Sequence, residues 1–433
     1  MSKEQRMMTP ARIAEICGGK VLRRGCRERP GPGRFVIDSR EVRSGDCFIA
    51  LSGERLDGHE FVAEALQSGA AGAVVCGPVP RTQLDSGAFF VRVDDSHRAL
   101  LQLAAEYRQQ HTAKVIGITG SCGKTSTKDM LAQVLNRHMP AVHSPRSFNN
   151  HIGVPLTLFQ LTPQTEACVV ELGTNAPGEI RHLVSVAQPD IGIITRIDES
   201  HLMHLGSLEG VAREKAELIA ALPQTGLAIL NGDDPSSAML RGHTDARLQE
   251  VRIGAEADWF ATDLSFHGLG TSFRLQGETP ITLPRMGSHN VYNALFTAAA
   301  ATEVGVPLDH VVAGLAEVPP TSRRLECKQI GDISVIDDTY NSNPASARAA
   351  LLALAGLPAA GRRLVVLGEM LELGERGEEL HRSVGTEVAE LPVDVLVTVG
   401  DGARPIAAAA VAHGMDESAV HSLGSASEVV TYL

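Results

Sequence analysis

Aromatic residues are scarce, at 4% of the chain with a single tryptophan. That leaves few π-faces for the stacking platforms on which single-stranded nucleic acids are bound. No long basic block is present either, and Lys+Arg 39 against Asp+Glu 51 gives a net charge of −12. Nucleic acid is therefore not an expected partner, and an anionic ligand must be held by local positive sites. No hydrophobic run approaches a membrane-spanning helix, so membrane insertion is not expected. Met1–Arg6 leads into a polar, helix-like stretch without the apolar core of a signal peptide. The seven cysteines (Cys17, Cys26, Cys47, Cys76, Cys122, Cys168 and Cys327) are scattered, odd in number and form no CxxC pair. This usage suits reduced thiols in a cytoplasmic protein, most of them small buried hydrophobes. At 433 residues, 43% hydrophobic and 21% charged, the chain has the balance of a soluble globular protein. Its length allows roughly two to four domains.

The most informative stretch is Gly117-Ile-Thr-Gly-Ser-Cys-Gly-Lys-Thr-Ser-Thr-Lys-Asp129. It follows the apolar run Lys114–Ile118, which reads as a buried strand, and leads into a helical pattern that stops at Pro140. A strand, a glycine turn and a helix beginning at Lys-Thr form a phosphate cradle. Backbone N–H groups point inward, the helix N-terminus adds partial positive charge, Lys124 supplies a full one, and Thr125 offers a hydroxyl to magnesium. The common P-loop has four residues between its outer glycines. Here Gly120 and Gly123 enclose only Ser121 and Cys122, a shortened form that argues against an ordinary kinase or GTPase.

Three segments follow from the pattern. Residues 1–110 contain short strands (Phe35–Asp38, Asp46–Leu51, Gly72–Cys76), a helix from Phe61 to Ser68 and a connecting helix from Arg98 to Gln110. Residues 111–318 alternate strand and helix, with strands expected at Val115–Thr119, Ala167–Leu172, Ile191–Thr195 and Gly226–Asn231, which favours a mostly parallel sheet. Gly287–Asn293 opens a later alanine-rich helix. Pro319-Pro320 marks a boundary, and in residues 319–433 the alternation restarts with strands at Ile333–Asp337, Leu364–Leu367 and Val393–Val399. The expected fold is thus α/β in three domains: a small α/β domain, a central P-loop domain and a Rossmann-like C-terminal domain. Ligands of open α/β sheets gather at strand carboxyl ends, so Lys124, Glu171, His201 and Asn231 are expected to converge.

Several residues carry chemistry, each with a plainer alternative. Glu171 closes an apolar strand, where it is either a magnesium ligand or a carboxylate in a salt bridge. His201 lies in Asp198-Glu-Ser-His-Leu-Met-His204, with His204 a nearby alternative and a structural or solvent-facing role the plainer reading. Lys215 lies on an amphipathic helix pattern, Gly210–Leu218, whose spacing alone favours a solvated face. Asp38-Ser-Arg40 and Asp57-Gly-His59 follow strands and resemble substrate loops, although turn chemistry also explains Asp-Gly. Asp337–Pro344 concentrates hydrogen-bonding groups after a strand, and Ser342 or Asn343 is compatible with a helix cap. Cys122 sits inside the phosphate nest, as a small filler or as a thiol activated by Lys124 and the helix N-terminus.

Taken in order, these motifs resemble the Mur ligases, the ATP-dependent amide-forming enzymes of peptidoglycan synthesis, over nearly the whole chain. The resemblance implies that Gly120, Ser121, Gly123, Lys124, Thr125 and Ser126 hold ATP, and that His289 and Asn290 contact its adenine. It implies that Arg324 and Asp338 reach the phosphate and ribose from the C-terminal domain. Thr125, Glu171, His201 and Lys215 fall at its magnesium site, Lys215 being expected as a carbamate. Catalytic roles fall to Lys124, His201 and Lys215. Ser39 and Arg40 match a UDP-sugar domain. Asn149–Pro155, Glu171–Asn175 and Tyr340–Pro344 point to the branch that adds D-alanyl-D-alanine to UDP-MurNAc-tripeptide, with Asn149, Asn150, Tyr340, Asn341 and Asn343 as substrate contacts. The Asp-Asn-Pro-Arg motif of a diaminopimelate-adding sister is missing. A monomeric cytoplasmic enzyme is implied.

Two departures stand out. Arg196 occupies a position where the family often has asparagine, and the chain ends at Leu433 before an expected Lys-Gly-Ser-Arg segment and final helix. The alternatives are a sister ligase that adds a single amino acid and, in a different class, a P-loop kinase or nucleotide switch.

Overall fold

The structure, a computed structural model, describes residues 8–24, 33–53, 55–84, 87–267, 270–358 and 361–433; Cys26 and Met1–Arg6 lie outside them. It is mixed α/β and divides into two compact units. The first comprises Met1–Gly117, Met139–Leu172 and His182–Pro189; the second Ile118–His138, Gly173–Arg181 and Asp190–Leu433.

In the first unit, strands Lys20–Arg24 (β1), Phe35–Val36 (β2), Cys47–Ile49 (β3), Gly72–Cys76 (β4) and Phe89–Val93 (β5) form a sheet in the order β1-β5-β4-β3-β2. Strands β2 to β5 are parallel and β1 is antiparallel. Phe48 and Phe90 are 1% and 0% exposed in its core. Burying each contributes about 1.5–3 kcal/mol, which explains why runs this short hold as strands. The strand expected over Phe35–Asp38 stops at Val36, since the Asp38 carboxylate accepts the Arg40 N–H and starts a 3₁₀ turn at Ser39–Glu41. Similarly, Asp57 caps a 3₁₀ turn at Gly58–Phe61, so the α-helix expected from Phe61 starts at Val62. The connecting helix Ser96–Gln109 (α1) is capped by Asp95 and buries Ala99, Leu100, Leu103 and Ala104 at helical spacing.

Strand Lys114–Thr119 (β6) carries the chain from the first unit into the second. Ala141–His143 (β7) and Ala167–Glu171 (β8) pair in parallel within the first unit, and every residue of β8 is buried.

The second unit opens with helix Lys124–Asn136 (α2). Its strands Ile191–Ile194 (β9), Leu227–Asn231 (β10), Arg247–Ile253 (β11), Trp259–His267 (β12), Gly270–Leu275 (β13) and Thr279–Leu283 (β14) lie side by side in the order β14-β13-β12-β11-β10-β9. The run β9 to β12 is parallel, as expected. The stretch β12 to β14 is an antiparallel meander instead. Its alternating burial marks a sheet wetted on one face, whereas the parallel strands β9 and β10 are buried throughout. Helix Leu208–Ala220 (α3) connects β9 to β10, and the alanine-rich helix Ser288–Glu303 (α4) packs on α2. Beyond Pro320 come the hairpin Glu326–Ile330 (β15) and Ile333–Asp337 (β16) and helix Pro344–Gly356 (α5). A parallel sheet of Leu364–Gly368 (β17), Val395–Val399 (β18) and Val420–Leu423 (β19) follows, with Val395, Val397 and Val429 in its core.

Candidate active site

The loop between β6 and α2 turns on two glycines. Gly120 has φ +148°, and a Cβ there would stand 2.0 Å from Thr195 Oγ1; Gly123 has φ +85° and would bring a Cβ 2.8 Å from Asn293 Oδ1. Helix α2 starts at Gly123 with no side-chain cap, so its first N–H groups stay available to a ligand. The segment after β9 braces the loop. Ser121 donates its N–H to Arg196 O (2.7 Å) and its hydroxyl to Asp198 O (2.8 Å), and accepts the Asp198 N–H (2.9 Å). Thr195 Oγ1 donates toward Thr119 O (3.2 Å) and Cys122 O (2.5 Å). Arg196 therefore serves the loop through its backbone, while its guanidinium pairs with Asp198 at 2.6 Å. Lys124 Nζ folds back onto the carbonyls of Gly120 (2.6 Å) and Ser121 (3.5 Å).

A cavity of about 690 Å³ opens beside this loop, within the second unit. One wall holds Ser121, Cys122, Gly123 and Ser126, another His289 and Asn290, and a third Arg324, Asp338, Asn341 and Asn343. Asn231 lines it too, at the end of β10. Asn290 is tied down, giving its amide N–H groups to Met286 O (2.8 Å) and His289 Nε2 (3.0 Å). Burial pushes the His289 imidazole down to about 4, so the ring is neutral. The Arg324 guanidinium lies over the Tyr340 ring, 4.2 Å from its centroid. Asp338 accepts the Leu325 N–H at 3.1 Å, and burial raises its carboxyl to about 6. Asn343 caps α5 through the Ser346 N–H (2.8 Å), completing a capping box with Pro344 at the first turn. Its side chain also meets Cys122 Sγ at 3.5 Å. Burial, ahead of a contribution from Asp198, raises the Cys122 thiol, so activation to a thiolate is not what this nest does.

Lys215 corrects the spacing argument. It lies on α3 but is 1% exposed, not on a solvated face. Burial first, then the positive charge of Lys124, lowers its ammonium to about 7. The neighbouring Glu214 accepts the Gly178 N–H with one carboxylate oxygen and the Ile180 N–H with the other, both at 2.7 Å. His201 is left-handed, with φ 54°, and its Nδ1 meets the Glu372 carboxylate. Burial lowers its imidazole against the opposing influence of Glu372. His204 only closes the short turn, through its N–H to His201 O at 3.1 Å.

In the first unit, Glu171 is 1% exposed at the end of β8 and accepts the Asn149 amide at 2.9 Å through Oε1. Its Oε2 has no hydrogen-bond partner, and a buried carboxylate oxygen lacking a proton to accept suits a hard cation. In the second unit the buried Thr125 Oγ1 is likewise without a hydrogen-bond partner. Among the described residues no three His, Cys, Asp or Glu side chains gather into a metal-binding group. Asn150 is occupied locally, accepting the N–H groups of Ile152 (3.1 Å) and Gly153 (2.9 Å). Ser39 is buried and donates to Glu64 at 3.1 Å, while Arg40 is exposed and paired with Asp38 at 2.6 Å. Glu372 went unnoticed in the sequence, although its position after the carboxyl end of β17 was a usable signal. No helix among the described residues is long and apolar enough to cross a membrane.

Comparison with known proteins identifies the family. Three family models match in chain order: the Mur ligase family catalytic domain over residues 35–108, the Mur ligase middle domain over 118–301, and the Mur ligase glutamate ligase domain over 323–433. The UDP-N-acetylmuramoyl-tripeptide–D-alanyl-D-alanine ligase of Bacillus subtilis is 37% identical over 380 residues, covering 87% of this chain and 82% of its own. A crystal structure of MurF from Acinetobacter baumannii superposes with a TM-score of 0.87 at 33% identity, covering 98% and 91% of the two chains. MurF from Thermotoga maritima in complex with ADP gives 0.76 at 25% identity, covering 92% and 94%. The chain belongs to the Mur ligase family.

Proposed function

We propose that this chain is the ATP-dependent ligase that joins D-alanyl-D-alanine to UDP-N-acetylmuramoyl-tripeptide in peptidoglycan precursor synthesis. The observation that carries the reading is the single cavity shared by the phosphate loop, Ser121–Gly123, and the Asn341–Asn343 stretch next to Arg324 and Asp338. A kinase or switch has no use for an amide-rich wall there; a ligase must bring an amine to an activated carboxyl. Residues 1–110 form the UDP-sugar domain, with Ser39 and Arg40 as contacts, 111–318 the ATP domain, and 319–433 the C-terminal ligase domain. The enzyme works as a cytoplasmic monomer.

A carboxylate is a poor electrophile and needs activation. The terminal carboxylate oxygen of the tripeptide attacks the γ-phosphorus of ATP, the bond to the β–γ bridging oxygen breaks, and ADP leaves an acyl phosphate. The amine of D-alanyl-D-alanine then attacks the acyl carbon, phosphate leaves with the bonding pair, and the amine loses a proton. Lys124 exchanges its loop carbonyls for the β- and γ-phosphates, and the uncapped N-terminus of α2 receives their charge. His289 and Asn290 border the adenine, Arg324 the phosphates and Asp338 the ribose. Tyr340, Asn341 and Asn343 are the substrate contacts of the second unit, and Asn149 and Asn150 those of the first.

Thr125 and Glu171 would hold one magnesium ion and His201 a second, with Lys215 as a further ligand. When bound, magnesium neutralises phosphate charge and orients the transferring group. An ammonium at Lys215 would repel a cation. With its pKa near 7, a large share of the amine is neutral and able to add to carbon dioxide, forming an anionic carbamate and releasing a proton. Lys215→Ala should lose activity and regain part of it with added short carboxylates; full activity without them counts against the carbamate.

The direct test is phosphate release from ATP with UDP-MurNAc-tripeptide. Release coupled to amide formation should require D-alanyl-D-alanine. If single amino acids serve equally, the chain is a sister ligase, and if neither is required it is a kinase or switch.

A further inference from the structure

Residues 199–203 and 372–376 meet at three points. His201 Nδ1 contacts the Glu372 carboxylate, the Met203 N–H donates to Glu372 O at 3.2 Å, and Arg376 pairs with Glu199. Both principals are backbone exceptions. Among the described residues eight non-glycines have positive φ, and His201 (54°) and Glu372 (62°) are two of them. Holding two such residues face to face is unfavourable unless the surroundings fix them, and such sites cluster where geometry serves function. Here the surroundings do so: Leu373 is 3% exposed, and the Met370 N–H donates to His381 Nε2 at 2.8 Å.

Stability alone does not account for the pair. The His201 and Glu372 side chains are 25% and 46% exposed, and ion pairs so open to water contribute little. A carboxylate against one ring nitrogen has a sharper effect: it requires a proton on Nδ1, which makes Nε2 the lone-pair acceptor of a neutral ring.

We infer that Glu372 is a positioning residue that holds His201 in the Nδ1–H form and presents Nε2 to the divalent cation of the nucleotide. Metal-binding histidines are commonly oriented by a carboxylate in this way. Glu372 lies in the stretch matched by the glutamate ligase domain model, and His201 in the stretch matched by the middle domain model. The nucleotide-binding stretch therefore draws the ring orientation of its histidine from the C-terminal one. This inference rests on the metal role proposed for His201.

The test uses full-length protein labelled with ¹⁵N-histidine, with His201→Gln identifying the His201 signals. Long-range ¹H–¹⁵N spectra of the metal-free wild type should show His201 protonated at Nδ1. Glu372→Ala should move it toward the Nε2–H form favoured in water, and Glu372→Gln, which keeps an acceptor oxygen, should restore Nδ1–H. Mn²⁺ titrated with ADP and followed by electron paramagnetic resonance should bind one site about tenfold more weakly in Glu372→Ala, with His201→Ala losing that site. An unmoved tautomer in Glu372→Ala overturns the positioning role. A moved tautomer with Mn²⁺ binding unchanged in His201→Ala overturns instead the metal reading beneath it.

Discussion

Asp338→Asn should make the protein more stable at neutral pH while weakening its hold on ATP. Burial raises the Asp338 carboxyl to about 6 from an ordinary 3.8, against the lowering effects of the Leu325 N–H and of Arg324. The native state therefore binds this proton more tightly than the unfolded chain. Between about pH 4 and pH 6 the folded form carries more protons, so stability falls as pH rises through that window. Above it the ionised carboxylate remains as a fixed cost. The rise from 3.8 to about 6 corresponds to about 3 kcal/mol, an upper bound for a group with some access to water. Asparagine keeps an acceptor oxygen for the Leu325 N–H, 3.1 Å away in the wild type, and removes the charge.

The assay is differential scanning calorimetry of both proteins without nucleotide, from pH 4 to pH 8. The variant's advantage should be small at pH 4, grow through pH 6 and level off by pH 7 at roughly 1–3 kcal/mol, a shift of several degrees. In the same variant the KM for ATP should rise about 10- to 100-fold, the worth of one hydrogen bond to a charged group. A stability difference independent of pH, or a loss of stability at pH 8, refutes the argument from burial.

Gly120→Ala should abolish nucleotide binding, because its Cβ would stand 2.0 Å from Thr195 Oγ1; adding Thr195→Ala should recover part of it, and additive losses in isothermal titration would refute the steric account. Alkylation of Cys122 should be slow at pH 7, accelerate only in alkaline buffer and be blocked by ATP; a rate already at its plateau by pH 7 would contradict a thiol raised by burial. Arg285 donates to Pro319 O and, at 3.1 Å, to Thr321 Oγ1, which in turn donates to Asp129 on α2 at 2.9 Å. Its partners are exposed or half-buried, so Arg285→Met should remove these bonds without stranding buried groups and cost about 1–2 kcal/mol in urea unfolding, whereas a change below about 0.5 kcal/mol would show that water replaces them fully.

The strands around the phosphate loop were legible because their apolar runs end at glycine or polar residues, as β6, β8, β9 and β10 do. A helix cap at Ser342 or Asn343 was legible too, and the structure gives the role to Asn343. Lys215 was not. Its helix has an amphipathic pattern that spacing assigns to solvent, and only the tertiary packing of α3 shows that the lysine is buried. The meander β12 to β14 was also missed, since half-exposed strands alternate polar with apolar residues and offer no continuous run. Glu372 was least visible: its place after the carboxyl end of β17 hinted at a site, but no local pattern encodes its partner His201, 171 residues away in sequence.

The acidic balance of the chain, −12, would repel ATP if charge were spread evenly. Around the cavity it is not. Lys124 rests on loop carbonyls, Arg196 on Asp198, Arg324 on the face of Tyr340, and Arg348 on Glu387. Arg196 and Arg348 are thus already held by carboxylates, and a phosphate that recruited either one would first have to break an ion pair. The new charge-assisted bond would replace one of the same kind and gain little. Phosphate binding should therefore draw little on Arg196 and Arg348, even though both line the cavity.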